Sequence, residues 1–182
     1  MNNLLRVTEI LKPYMEENPR ATPGSLAEEM YFQRGSFVHD WCAAYSKKIW
    51  MPIVVDEYLG YIASFRTWFD KYVVKVFFVE QEFRDEDLGF SGRPDLGCIL
   101  RGDEEGVLPD YKTSAATQRW WQGQNAAYLH LVQKAGFPIK RAGSLKLNAD
   151  GKPAKFIPCD VPKEAFAAFL SALNAYRYFK KS

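Results

Sequence analysis

The spacing of apolar residues changes near residue 73, and this change limits the folds that the chain can adopt. Before it, stretches such as "DEYLGYIASFRTWFDKY" (56–72) place apolar residues at the three-to-four-residue intervals of an amphipathic helix. After it, three stretches have the β-branched and aromatic character of strands: "VVKVFFVEQEF" (73–83), "RPDLGCIL" (93–100) and "GVLPDYKT" (106–113). We therefore predict a three-strand meander that follows a group of helices.

The flanking segments are mostly helical in pattern. Pro13 is expected to end or kink a short helix in "VTEILKPYMEEN", and Ser36 to cap a helix over 37–50 that is separate from a preceding one in "LAEEMYFQRG". Gly136 suits the C′ position of a helix in "TQRWWQGQNAAYLHLVQKAG", after which a hairpin (139–159) and a last helix (162–181) follow. The predicted fold class is mixed α/β (α+β), in which helices pack on a central mixed sheet within one domain, residues 1–182.

The composition excludes several classes of protein. Apolar residues make up 47% and charged residues 25% of the chain, which is ordinary for a soluble globular protein. No apolar run approaches the ~20 residues that span a bilayer, and the N-terminus lacks a signal-peptide core, so we expect an intracellular protein without a membrane partner. Cys42, Cys98 and Cys159 are far apart and odd in number, which argues against a disulfide framework, structural zinc and an iron–sulfur cluster.

The charges are distributed unevenly along the chain. Residues 1–109 have 12 Lys/Arg and 18 Asp/Glu, a net charge of −6, whereas residues 110–182 have 12 and 4, a net charge of +8. Such a pattern suits an acidic site beside a basic surface that binds a polyanion. An uneven scatter over a solvated surface would give the same counts, since folding can interleave the two parts.

Three charged residues are expected to meet at one end of the meander. The position of the turn "RGDEEG" would place Asp95 opposite Lys112, with Asp110 two residues along on the same face. Two carboxylates this close repel, and the pKa of one rises unless a cation intervenes. Lys112 could supply that charge as an ordinary ion pair at a strand end. Alternatively, with Glu80 or Glu82 from the preceding strand, the carboxylates could bind Mg²⁺ or Mn²⁺.

A wider set of motifs favours the metal site. Asp95 in "GRPD" precedes Asp110 in "DYK" by fifteen residues, "RGSFVHD" and "VEQEF" lie upstream, and "QNAAY" lies downstream. In this order the motifs resemble the PD-(D/E)XK nuclease superfamily, and in particular its RecB-like branch. "VTEIL" and "LKLNADGK" further resemble the standalone exonucleases that are common in bacteriophages and prophages. The resemblance covers about residues 7–152 and implies a restriction-endonuclease-like core.

The resemblance implies a metal site in which Mg²⁺ or Mn²⁺ is the cofactor. Lys112 would position the attacking water or stabilise charge on the phosphate, and the carboxylates would form the catalytic set with it. Some members of the branch carry an iron–sulfur cluster held by four cysteines, which the three scattered cysteines here do not supply. The implied ligands are one imidazole, three carboxylates and one backbone carbonyl: His39, Glu80, Asp95, Asp110 and Tyr111.

Several other residues have more than one interpretation. Gln124 and Tyr128, one helical turn apart, are implied to shape the site and contact DNA, whereas Arg93 could contact phosphate or pair with an acid. His39 without the motif would suit a core position, and His130 is expected to be structural. Of Trp120 and Trp121, we expect one in the core and one at the surface, where it could stack on a base. The basic residues best placed for DNA are near the "QNAAY" helix and the hairpin: Arg119, Lys140, Arg141 and Lys146.

The predicted function is a metal-dependent DNA nuclease, with exonuclease action and little sequence preference, in DNA recombination or repair or in phage DNA processing. DNA ends are the expected partner, together with a single-strand-binding or annealing protein, in the cytoplasm of a bacterial host. Two alternatives remain at this point: a DNA-binding accessory module that does not cleave, and a sequence-specific endonuclease on the same fold.

Overall fold

The computed structural model describes residues 4–15, 26–114 and 116–180. Short 3₁₀ turns follow the first helix at Lys12–Tyr14 and precede the third at Asp56–Tyr58. The α-helices are α1 (Val7–Leu11), α2 (Leu26–Ser46), α3 (Leu59–Tyr72), α4 (Trp120–Lys134) and α5 (Pro162–Phe179). The strands are β1 (Leu5–Arg6), β2 (Val73–Val79), β3 (Phe83–Asp85), β4 (Phe90–Gly92), β5 (Leu96–Leu100), β6 (Gly106–Lys112), β7 (Ile139–Lys146) and β8 (Lys155–Pro158).

The central sheet has five strands in the order β2-β5-β6-β7-β8. Strands β2, β5 and β6 are antiparallel neighbours and form the predicted meander. Strands β6 and β7 are parallel, and α4 connects them, because parallel neighbours need a crossover that returns the chain to the same end of the sheet. The predicted fold class, a mixed sheet with a three-strand meander and flanking helices, is confirmed, and this architecture is consistent with a restriction-endonuclease-like core.

Helices cover both faces of the central sheet, and β6 shows why. Alternate side chains of a strand point to opposite faces. Val107 and Tyr111 pack into the cluster formed by α2 and α3, whereas Leu108 packs into the cluster formed by α1, α4 and α5. All three side chains are almost fully buried. Asp110 and Lys112 follow Leu108 in the same alternation, so both are presented toward α4 at the end of the strand.

A second sheet of three short strands, in the order β1-β4-β3, was not predicted. Strands β3 and β4 lie in the segment between β2 and β5, and β1 pairs in parallel with β4 through Leu5 and Phe90. Phe83 therefore belongs to this sheet, so the prediction of one strand over 73–83 is wrong in its last part.

The helical predictions were correct in number of segments apart from the helix predicted over 37–50, which neither begins at Ser36 nor reaches residue 50. Helix α2 is continuous over Leu26–Ser46, so Ser36 does not cap a new helix. Neither Gly35 nor Ser36 prevents helix propagation, and continuing a helix costs less than ending and restarting it. The 3₁₀ turn at Pro13, the β7–β8 hairpin and Gly136 just beyond α4, with a φ of 85°, all agree with the predictions. None of the helices in the described part of the chain has the length and apolar composition of a membrane span.

Candidate functional site

The candidate site lies where β5 begins and β6 ends. Cys98 pairs with Val107 across these strands, and the same antiparallel register places Asp95 opposite Asp110. The predicted register, which placed Asp95 opposite Lys112, is therefore wrong by two residues. The turn explains the error. The Asp103 N–H donates to the Leu100 carbonyl at 3.0 Å, so the chain reverses before the midpoint of "RGDEEG", and Glu104 and Glu105 lie between this turn and β6. A shift of two keeps the same face, so the acids and Lys112 still meet.

Three potential metal ligands from three parts of the chain converge at this point. The ligand atoms of His39 (α2), Glu80 (after β2) and Asp95 (before β5) all lie within 4.8 Å of one another. Asp95 is held firmly, because its Oδ2 accepts a 2.6 Å hydrogen bond from the Tyr111 N–H and its Oδ1 lies 3.3 Å from His39 Nδ1. This group is one that could hold a metal ion.

His39 bridges the two strand ends. Its Nε2 donates to the Tyr111 carbonyl oxygen at 2.9 Å, since a carbonyl can only accept, while Nδ1 faces Asp95. Burial of the imidazole acts to lower its pKa, but the Asp95 carboxylate, aided by Asp110, outweighs this and raises the pKa of His39 to about 9. The Tyr111 carbonyl, predicted as a ligand, thus points toward the same imidazole as Asp95.

Glu80 reaches the site through an unusual backbone conformation. Its φ is 53°, in the left-handed region that residues with a Cβ seldom occupy. The Glu80 N–H donates to the Asp95 carbonyl at 3.0 Å, and Arg93 Nε lies 3.0 Å from Glu80 Oε2. Burial and then the Asp95 charge raise the pKa of Glu80. Glu82, the competing candidate, is exposed and pairs with Arg84 instead.

Asp110 contacts Lys112 and is not a member of the three-residue group. Lys112 Nζ lies 2.5 Å from Asp110 Oδ2. Burial and the neighbouring Asp95 raise the pKa of Asp110, against the effect of Lys112. Burial also acts to raise the pKa of Asp95, but His39 and the Tyr111 N–H lower it. The two carboxylates therefore differ in proton affinity, as expected when like charges share a buried site.

Helix α4 holds Lys112 from the other side. Lys112 Nζ donates to Gln124 Oε1 at 2.8 Å, and Gln124 Nε2 donates to the Tyr128 hydroxyl at 3.2 Å. The ammonium also lies 4.9 Å from the ring centre of Trp120 and 5.5 Å from that of Trp121. Trp121 is in the core, as expected of one of the two tryptophans, whereas Trp120 is half-buried against the core and not at the surface.

Sequence analysis did not identify these tryptophan contacts. Trp121 precedes Gln124 by three residues, so the two share a helix face. This spacing is the sequence signal from which a contact between Trp121 and Lys112 could have been predicted. Lys47 was also missed: its charge is close enough to act on the Glu80 carboxylate.

Two predicted arginines occupy different positions. Arg93 is exposed at the edge of the site and donates from Nε to the Glu80 carbonyl oxygen at 2.9 Å as well as pairing with its carboxylate. Arg119 is exposed at the N-cap of α4, outside the hydrogen-bond network just described. Of the other basic candidates, Arg141 pairs with Asp103 and Lys140 is exposed. His130, expected to be structural, contacts Asp85 away from the site at 2.7 Å.

This arrangement could hold a cation beside a fixed positive charge. The buried Asp95 carboxylate, the half-buried Glu80 carboxylate and the His39 imidazole can hold a cation, and the Lys112 ammonium is fixed by Asp110 at the end of β6.

The chain was compared with protein-family models, curated proteins and solved structures. No protein-family model and no curated protein matches the chain. Among solved structures, the crystal structure of a "Putative exonuclease" from Eubacterium rectale is similar, with a TM-score of 0.48 and 12% sequence identity, over 94% of this chain and 70% of that one.

Proposed function

We propose that the chain is a metal-dependent deoxyribonuclease of the PD-(D/E)XK superfamily, RecB-like branch, that hydrolyses phosphodiester bonds. Its action is proposed to be that of an exonuclease with little sequence preference. The observation that carries the proposal is the convergence of His39, Glu80 and Asp95 within 4.8 Å, beside the Asp110–Lys112 pair. We further propose that the whole chain forms one nuclease domain.

The donor atoms fit a hard divalent cation. Asp95 and Asp110 are 6% and 2% exposed, and the Asp95 charge acts on Asp110, so positive charge between them would relieve their repulsion. Carboxylate and carbonyl oxygens suit Mg²⁺ or Mn²⁺. When bound, such an ion polarises a phosphoryl oxygen and lowers the pKa of a bound water. The residues that would hold it are those near the two strand ends: His39, Glu80, Asp95, Asp110 and the Tyr111 carbonyl.

Lys112 is proposed to act on the phosphate. Contacts with Asp110 at 2.5 Å and Gln124 at 2.8 Å fix its ammonium at the strand end, where it would stabilise negative charge that develops on the scissile phosphate. Gln124 is proposed as a positioning residue, since it contacts Lys112 and is itself oriented by Tyr128. Arg93 and Arg119, both exposed, are proposed to contact the DNA backbone without reading its sequence.

The cellular setting is proposed from the motif resemblance. It would be DNA recombination or repair, or phage DNA processing, in the cytoplasm of a bacterial host. A single-strand-binding or annealing protein is proposed as a further partner.

A cleavage assay on end-labelled single- and double-stranded DNA tests the proposal. We expect progressive shortening from the ends with Mg²⁺ or Mn²⁺ and none with EDTA. Asp110→Asn should lower the rate by at least ~10²-fold, as the loss of one preorganised charge contact does. Glu82→Gln is the matched control, because Glu82 is an exposed carboxylate on the same stretch that pairs with Arg84, and it should keep wild-type activity.

The outcomes separate the rival functions. Metal-independent cleavage, or full activity of Asp110→Asn, would contradict the proposal. DNA binding without cleavage across several metals and substrates would favour an accessory module. Discrete bands from plasmid DNA would favour a sequence-specific endonuclease.

A further inference from the structure

Uncovered apolar side chains are concentrated in the segment that follows α2. Ile49, Trp50, Ile53 and Val55 are 57%, 80%, 87% and 53% exposed. Residues 47–55, called here the Trp50 segment, thus present several large apolar groups to solvent within a few residues. Single exposed apolar residues are common on protein surfaces, but a contiguous group of them usually marks an interaction site.

The Trp50 segment begins with two lysines, of which Lys47 lies near the candidate site. Lys47 and Lys48 are both exposed, and the charge of Lys47 acts on the Glu80 carboxylate. His39, a member of the metal-ligand group, lies about two turns earlier on α2. The segment therefore begins about two helical turns beyond a member of the metal-ligand group, at the end of the helix that carries it.

The end of α2 fixes the direction in which the segment leaves. The Lys48 N–H donates to the Tyr45 carbonyl at 3.0 Å and the Ile49 N–H to the Ala44 carbonyl at 3.1 Å. This is the pattern of a Schellman motif, with Lys48, at a φ of 55°, in the position that glycine usually takes. The chain is thereby turned away from the helix, and Trp50 projects outward.

We propose that the Trp50 segment binds single-stranded DNA beside the cleavage site, with Lys47 and Lys48 on phosphates and Trp50 stacked on an unpaired base. This inference rests on the proposed nuclease function and deepens it by naming unpaired nucleotides at a DNA end as the substrate class. An exposed aromatic flanked by cations is the combination that single-strand-binding grooves use, because every base has a face on which an indole can stack. An interface with another protein would bury the apolar groups but has no need of two adjacent lysines.

Fluorescence anisotropy with a labelled oligothymidylate in EDTA tests the inference without cleavage. Trp50→Ala should weaken binding by about 5- to 150-fold, the loss expected for one stacked base, and Trp50→Phe should retain most of the affinity. Phe179→Ala is the matched control, because Phe179 is likewise 80% exposed but lies at the end of α5, and its affinity should be unchanged. Lys47→Ala and Lys48→Ala should each reduce the slope of log affinity against log salt by about 0.7.

Failure of this inference and failure of the proposed function give different results. Equal affinity of Trp50→Ala and wild type overturns the inference, while metal-dependent cleavage by the wild type leaves the nuclease proposal intact. Loss of self-association in Trp50→Ala, with unchanged DNA affinity, also overturns it and assigns the segment to a contact between copies. A wild-type protein that neither binds nor cleaves DNA overturns both.

Discussion

Lys112 links the polar groups at the end of β6. Its ammonium contacts Asp110, Gln124 and the face of Trp120. The side chains of Lys112 and Asp110 are 12% and 3% exposed, so neither charge can be solvated if the other is removed. A buried pair adds little net stability over an apolar pair, but breaking it on one side is expensive.

Lys112→Met should therefore lower the free energy of unfolding by about 3–5 kcal/mol, because it leaves the Asp110 carboxylate buried and unpaired. The double variant Asp110→Asn/Lys112→Met should lose less than the sum of the two single variants. Urea denaturation measures both effects. Lys152→Met, which breaks an exposed pair with Asp150, should change the free energy of unfolding little. Equal decreases for the Lys112 and Lys152 variants would show that the burial of an ion pair does not determine how much stability is lost when it is broken.

Helix α3 docks on the hairpin loop through backbone contact at Gly60. A Cβ at position 60 would lie 1.7 Å from the Ala149 carbonyl oxygen. Because the atoms in contact belong to the backbone, they cannot move aside as the end of a flexible side chain could. Ser64, one turn further along α3, accepts the Asn148 N–H through Oγ at 3.0 Å and the Ala154 N–H through its carbonyl at 3.2 Å. The helix therefore positions the loop that follows β7.

Gly60→Ala should destabilise the protein by about 1–3 kcal/mol, although alanine is the better helix former, because the added methyl group overpacks the contact with Ala149. Gly35→Ala in α2 provides the opposite case: among the residues described, no atom outside the adjacent backbone of α2 lies within 4 Å of its Cβ position, so a gain of about 0.4–1 kcal/mol is expected. Thermal unfolding of both variants checks the signs. Stabilisation by both would rule out the close approach at position 60.

Elements with local signals could be predicted, and those that depend on distant pairing could not. Gly136 marked the end of α4, and Pro13 marked the end of α1. Nothing near Leu5 in the sequence indicated that it pairs with Phe90, so the second sheet was missed. The same division holds in the candidate site. Side-chain alternation placed Asp110 and Lys112 on one face, but the strand register depended on a turn whose geometry the sequence did not fix.

Asp85 joins the second sheet to the rest of the molecule. It lies on β3, is 1% exposed, and contacts Lys134 and His130 of α4 at 2.6 and 2.7 Å. Burial alone would raise the pKa of Asp85, but the Leu88 N–H, Lys134 and His130 together hold it well below its usual range. Two layers of the protein are thus connected through one ionised carboxylate.

The free energy of unfolding should therefore decrease at low pH, where Asp85 becomes protonated. A depressed pKa in the folded state contributes stability that is fully present above the unfolded pKa of about 3.9 and is lost as the pH falls below it. We expect urea midpoints of the wild type to fall between about pH 5 and pH 2 more steeply than those of Asp85→Asn. Asp87→Asn removes an 86% exposed partner of the same lysine and should keep the wild-type slope. Parallel slopes for wild type and Asp85→Asn would contradict this account.

The left-handed backbone at Glu80 sets stability and activity against each other. A side chain in this conformation costs about 1–2 kcal/mol that glycine would not, yet glycine would remove a carboxylate proposed to hold the ion. A laboratory library scored for heat resistance alone should thus accumulate Glu80→Gly, and the same library scored for DNA cleavage should discard it. The two selections would disagree at this position, and their disagreement would identify a residue retained for chemistry at the expense of the fold.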